Sequence, residues 1–321
     1  MQEIAVTRSI VASDALAELI EADYDLNIPI SCKLISKMLR TQDNDHYLVR
    51  CGEEKCIARV YQLGQHLGRS ESDYLYELDW LNFLKGKGLP VSYPLPRRDG
   101  GYLGTLHAPE GNRYYALFSF AQGKPVSINN EDQLFAMGAM MAQIHLASND
   151  YSTEYNRRPM DLAFLADEPV DRLKALWSGS KDDKLHIILN SAEEAKVEIE
   201  ALLKNEEETE DSWGPIGGDF HPYNTHFDEQ NRPTFFNFDL CGYGWRAYDI
   251  AVFLLNAELM QRSSRLSEAF FAGYYSVRPL SRNEHEAVAP FLTLRRVWLT
   301  GTFSTVEGAA GYTFIGPAQI D

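Results

Sequence analysis

A chain of 321 residues, 45% hydrophobic and 24% charged, has globular composition and enough length for two lobes with separate cores, which excludes a disordered chain. Thirty basic against 46 acidic side chains leave a formal net charge of −16, a surface that repels nucleic acid and anionic membranes and attracts cations. Cys32, Cys51, Cys56 and Cys241 make no CxxC pair, no basic n-region precedes an apolar stretch, and the longest apolar run is broken by Asn256 and Glu258, so a soluble cytoplasmic protein with reduced thiols is expected.

In chain order, residues 13–22 place Ala15, Leu16, Leu19 and Ile20 at helical spacing behind a Ser-Asp start, which predicts a short amphipathic helix. Residues 32–35 predict a strand. The polar turn 41–45 leads into the β-rich run 46–50, and the connection 51–54 leads into a second, 55–61, which together predict an antiparallel hairpin. Leu75, Leu78, Leu81 and Leu84 recur every three residues behind Ser70 and Asp73, a helix stopped by Gly86 and Gly88. Residues 113–120 have strand composition and run into Ala121-Gln122-Gly123-Lys124-Pro125, a turn-rich boundary between lobes at 120/121.

Beyond that boundary the periodicity is helical. Leu134, Met137, Met141 and Ile144 form one apolar face ending at His145, which reads as a satisfied core histidine. Ser191 with Glu194 has the spacing of a helix cap ahead of Ile199, Leu202 and Leu203. The acidic run 206–211 reads as a solvated loop, and residues 247–255, 268–275 and 284–297 as helices. A β-rich part (1–120) with one main helix, followed by a mostly helical part (121–321), is an α+β arrangement of two lobes.

The stretch from Ile216 through Asp219 and Asn224 to the aromatic run Phe235-Phe236-Asn237-Phe238-Asp239 sets two carboxylates and an amide on a loop and a strand end. Phosphoryl transfer needs little covalent help and much positioning, so a hydroxyl-orienting carboxylate and ligands for Mg²⁺ are its minimum kit. Alone, Asp219 would read as a loop carboxylate in an Asx-turn; Asn224 and Asp239 in register favour chemistry. His221 and His226 lack a Cys or a third clustered ligand for structural zinc.

The runs Gly218-Asp219-Phe220-His221-Pro222-Tyr223-Asn224, Phe236-Asn237-Phe238-Asp239-Leu240-Cys241-Gly242-Tyr243-Gly244 and Ala247-Tyr248-Asp249-Ile250-Ala251 resemble the signature of the aminoglycoside phosphotransferase/choline kinase family. Within it they are most similar to the bacterial branch of the stress-response kinase and the homoserine kinase-like proteins. The resemblance covers most of the chain, though the tail after about Leu280 adds little. It implies a protein-kinase-like two-lobed fold with ATP between the lobes, Asp219 as catalytic base, Asn224 and Asp239 as Mg²⁺ ligands, and Asp249 as a helical brace for the catalytic loop. It also implies that Arg59 contacts phosphate in partnership with Glu77, with Glu71 as the rival partner. The sequence departs from the family at Gly217, where His is common, at Arg59, where kinases use Lys, and in the glycine-free turn 41–45.

Three activities are compatible with these residues: an ATP- and Mg²⁺-dependent phosphotransferase acting on a small-molecule hydroxyl, a Ser/Thr protein kinase, and a nucleotide-binding pseudokinase or scaffold. A binding-only protein has no physical need for Asp219, Asn224 and Asp239 together, which ranks the third last. The acceptor site is expected between 125 and 168 and after 245, where Asp161, Asp167 and Glu168 could receive a cationic substrate.

Overall fold

The computed structural model describes residues 6, 8–36, 44–62, 67–127, 130–177, 183–204, 211–259 and 264–304. The chain forms two compact units. The first comprises Met1–Gly86, Val91–Ala121 and Thr153–Asn156, and the second Lys87–Pro90, Gln122–Ser152 and Arg157–Asp321.

The first unit is built on an antiparallel five-stranded sheet. Its members are β1 (Ile30–Leu34), β2 (Asp45–Cys51), β3 (Glu54–Val60), β4 (Gly104–Ala108) and β5 (Gly111–Ser119), in the order β1-β2-β3-β5-β4. Alternation decides which side is buried: Tyr47, Val49 and Cys51 of β2, with Ala58 and Val60 of β3, join Leu16 and Ile20 of helix α1 (Ser13–Asp23) in one core. The β2–β3 hairpin turns through Gly52, at φ +62°. Composition alone does not announce β4, because Gly-Thr-Leu-His-Ala has only one large aliphatic side chain; pairing from Gly104↔Tyr115 to Ala108↔Gly111 makes it a strand. Of the polar turn 41–45, residues 41–43 lie outside the described residues. Asp45 opens β2, fully buried between Arg8 and Arg113, the latter at 2.9 Å.

Helix α2 (Glu71–Gly86) begins where Asp73 Oδ2 accepts from the backbone N–H and the hydroxyl of Ser70, at 2.9 and 2.7 Å. Its buried side chains include Tyr74, Leu78, Leu81 and Leu84 together with the ionisable Glu77.

The second unit is mostly helical. It contains α3 (Glu131–Ala147), α4 (Glu168–Leu176), α5 (Asp183–Leu203), α6 (Arg246–Leu259), α7 (Ser264–Tyr275) and α8 (Arg282–Phe303). Among them run an antiparallel pair, β7 (Trp213–Ile216) with β10 (Gly242–Trp245), and a small sheet of β6 (Lys124–Pro125), β8 (Thr225–Phe227) and β9 (Pro233–Phe235). Ser191 does not start a helix: α5 begins at Asp183, and Leu185, Ile188, Ala192, Ala195, Ile199 and Leu203 are buried at steps of three and four. That apolar face runs unbroken past Ser191, and its packing outweighs the local preference of Ser for a cap. Of the acidic run 206–211, residues 206–210 lie outside the described residues.

Helices α3 and α7 meet at two glycines. A Cβ on Gly138 would lie 2.0 Å from Phe270 O, and one on Gly273 1.9 Å from Phe135 O, so the backbones approach as only glycine permits. Helix α8 opens with a capping box, Ser281 Oγ accepting from Glu284 N–H at 3.0 Å and Glu284 Oε2 from Ser281 N–H at 2.9 Å. It then packs on α4, α5 and α6.

Candidate active site

Pairing of β7 with β10 brings the two motif loops to one edge, because Ile216, which ends β7, faces Gly242, which begins β10. The loop leaving β7 carries Asp219 and Asn224, and the loop entering β10 carries Asp239. Their approach is tight at Gly218: its φ is +70°, and a Cβ there would sit 2.3 Å from Leu240 O. Only glycine meets both conditions.

The first loop is hung from a helix. Asp249, in the first turn of α6, accepts from Gly217 N–H at 2.8 Å and from Gly218 N–H at 2.7 Å. Its Oδ2 also lies 3.1 Å from His145 Nε2, and His145 Nδ1 lies 2.8 Å from Tyr274 OH. Burial pushes the Asp249 carboxyl up to about 7, against the pull of the two glycine N–H groups and Arg246. Burial, with Arg246 and Arg278, holds His145 well below the usual imidazole range, so it is neutral. The space that a side chain at 217 would need is filled by the Phe220 ring, 2.6 Å from where such a Cβ would lie.

The Asp219 carboxylate is surrounded by donors. Arg295 Nη2 of α8 donates to Oδ1 at 2.5 Å, Asn224 Nδ2 donates to Oδ2 at 3.2 Å and to the backbone carbonyl at 3.1 Å, and His221 Nε2 lies 3.3 Å from Oδ2. His221 Nδ1 accepts from Tyr223 N–H at 3.2 Å, and its Nε2 also lies 3.0 Å from Asn224 Nδ2. Burial raises the Asp219 carboxyl, but His221, Arg295 and Asn224 together outweigh it and hold the group at about 2. It stays ionised, with 15% of the side chain still open to solvent.

These contacts place Asn224 Nδ2 beside Asp219. With Nδ2 given to Asp219, the amide presents Oδ1 on its other side, 3.5 Å from Asn237 Nδ2. Phe236 N–H donates to Asn224 O at 3.0 Å, and Asn237 turns the chain at φ +66° two residues before Asp239, a conformation Asn tolerates. Asp239 is buried, and its carbonyl accepts from the Arg157 guanidinium. An amide oxygen and a carboxylate form the hard oxygen donor set that suits Mg²⁺, which is held by one or two protein ligands and completes its shell with water and phosphate. Among the described residues no group of three or more His, Cys, Asp or Glu is gathered for a metal, so a cation here would depend on such outside ligands.

In the first unit, Arg59 Nη1 donates to Glu77 Oε1 at 2.5 Å and Tyr61 OH to Glu77 Oε2 at 3.2 Å. The guanidinium lies 4.7 Å from the centre of the Phe118 ring and 3.3 Å, at Nε, from His46 Nε2. Burial and Arg59 hold His46 down at about 3. Glu71 accepts instead from Tyr114 OH at 3.3 Å.

The acids expected to receive a cationic acceptor are engaged within the chain. Asp161 caps the Phe164 N–H at 2.9 Å, Asp167 pairs with Lys196 at 2.6 Å, and Glu168 pairs with Arg158 and Arg172. Arg295 escaped sequence reasoning altogether. Its signal is a charge on the apolar stripe Val288, Phe291, Leu294, Trp298 of α8, a position where an arginine must have a buried partner.

The profile of the family described as "Phosphotransferase enzyme family" matches residues 36–291. The uncharacterized protein sll1119 of Synechocystis sp. is 32% identical over 292 residues, covering 90% of this chain and 77% of that one. The homoserine kinase of Agrobacterium fabrum is 28% identical over 295 residues, covering 90% and 84%. Among solved structures, a microcompartment-associated aminopropanol kinase superposes with a TM-score of 0.74 at 21% identity, over 94% of this chain and 93% of that one. That likeness extends to the α+β fold and no further.

Proposed function

Because the chain belongs to the phosphotransferase enzyme family, we propose that it transfers the terminal phosphoryl group of ATP to the hydroxyl of a small molecule. The observation that carries this reading is Asp219: a carboxylate held ionised by three donors yet 15% open, at the loop edge it shares with Asn224 and Asp239. In the reaction the acceptor oxygen forms a bond to the γ-phosphorus, the bond to the bridging oxygen breaks, ADP leaves, and the hydroxyl proton passes to Asp219. A carboxylate at about 2 is too weak a base to remove that proton before attack. It orients the hydroxyl and takes the proton as the new P–O bond makes the oxygen acidic. Asn224 Oδ1 and Asp239 would hold Mg²⁺, which when bound neutralises charge on the phosphate oxygens. Arg59, its charge balanced by Glu77, offers a planar donor to phosphate.

Homoserine and aminopropanol, the compounds in the names of two similar proteins, define the acceptor class to try first: small molecules with one reactive hydroxyl. The test follows ADP release from Mg-ATP with homoserine, 1-aminopropan-2-ol, choline, an aminoglycoside and a basic protein, beside thermal unfolding with Mg-ATP. A rise in unfolding temperature and turnover with a small hydroxyl compound are expected. Phosphorylation of the protein alone would make this a protein kinase. No turnover and no thermal shift at millimolar Mg-ATP would remove the phosphotransferase reading.

A further inference from the structure

We propose that Arg295 is the positioning residue that holds the Asp219 carboxylate in its reactive orientation and balances its charge as the phosphoryl donor approaches. The inference rests on the phosphotransfer reading above. Arg295 belongs to the segment whose sequence adds least to the family signature, and the family match ends at residue 291, before it.

The geometry separates this arginine from an ordinary surface partner. Arg295 is 3% exposed, and its guanidinium touches the catalytic loop twice. Nη2 donates to Asp219 Oδ1 at 2.5 Å, while Nη1 donates to Gly218 O at 3.4 Å and to Tyr248 OH at 3.2 Å. The Trp298 ring, one turn on, lies 4.9 Å from the guanidinium carbon. One rigid group therefore reads the backbone and the side chain of adjacent loop residues, which a lysine, with a point charge on a flexible stem, cannot do. A carboxylate has about four acceptor positions. Arg295 takes one on Oδ1 and Asn224 and His221 crowd Oδ2, so the carboxylate is left with little choice of where to meet a hydroxyl. Charge supplies the second part of the role. Asp219 works beside a polyanionic donor, and without a cation its negative charge would oppose the approach of the γ-phosphate. Asn224, a neutral amide, cannot replace that cation.

The experiment compares wild type, Arg295→Ala and Arg295→Lys in ADP release from Mg-ATP with whichever of homoserine, 1-aminopropan-2-ol or choline turns over, together with unfolding temperature. A misplaced reactive group costs about 10²-fold in rate. The expected result is a kcat loss of that size in Arg295→Ala, with KM for ATP unchanged and partial recovery on adding guanidinium chloride below its denaturing range. Arg295→Lys should stay impaired although it keeps the charge. Rescue by guanidinium distinguishes a role at Asp219 from a strut for α8, since a free ion restores a charge at a carboxylate but not a helix contact. Normal kcat in Arg295→Ala, or an equal loss of kcat and unfolding temperature in both variants without rescue, would overturn the inference and leave the phosphotransferase reading standing. A wild type that turns over no acceptor of the panel above and shows no thermal shift with millimolar Mg-ATP would overturn both.

Discussion

Asp219 shows how neighbours, more than residue type, set what a side chain can do. Its carboxyl sits at about 2 in the fold against about 3.9 in an unfolded chain, so between those values the unfolded state binds more protons and stability rises with pH. The ionised group contributes roughly 2 kcal/mol above pH ~4, lost as pH falls through the folded value. Urea unfolding of Asp219→Asn across a pH series should therefore show its full deficit relative to wild type near neutrality and a shrinking one below pH ~4. The same variant should lose about 10²–10⁴ in acceptor-dependent turnover while keeping its thermal shift with Mg-ATP, measured as ADP release. Glu77 is a second case. Replacing it with Gln leaves Arg59 buried without its charge partner, and breaking such a pair costs about 3–5 kcal/mol, readable as a lowered urea midpoint together with weaker ATP binding by calorimetry. Asp219, Asn224 and Asp239 stood out in the sequence because their order and spacing are local properties of one stretch. For Arg59 the sequence favoured Glu77 over its rival Glu71; in the fold Arg59 bonds Glu77, and Glu71 accepts from Tyr114.

Among the elements, those with strong periodicity could be read directly and those that depend on a partner could not. The β2–β3 hairpin and α1, α2 and α3 follow from alternation or helical spacing within a few residues of where they lie. The start of α5 does not, because a cap signal at Ser191 competes with an apolar face visible only once the surfaces it packs on are known. The α3–α7 contact is of the same kind. Gly138 and Gly273 look like weak points in two helices, yet each is where the other helix's backbone arrives. Gly273→Ala, favourable by helix propensity alone, should instead destabilise by about 1–3 kcal/mol through overpacking and lower the unfolding temperature in calorimetry, with KM for ATP unaffected.

For the whole molecule, a net charge of −16 means self-repulsion that salt screens over about 10 Å at 0.1 M. Raising NaCl from a few millimolar to about 0.15 M should therefore raise the unfolding temperature in a scanning fluorescence series, although isolated surface ion pairs such as Lys87–Asp150 weaken at the same time. No described helix is long and apolar enough to cross a membrane. Lobe order, the α+β class and the phosphotransfer motif were all legible in the chain, since each depends on patterns repeated over a few residues. The link between the Asp219 loop and helix α8 was not. Arg295 lies 76 positions from Asp219, and no periodicity or spacing connects them. The two meet because α8 packs across α6, whose Asp249 holds the same loop from behind. Local sequence therefore decided which candidate groups stand together in one stretch of the chain. Tertiary packing decided their charge state and aim, because desolvation and hydrogen-bond geometry belong to neighbours in space rather than neighbours in sequence.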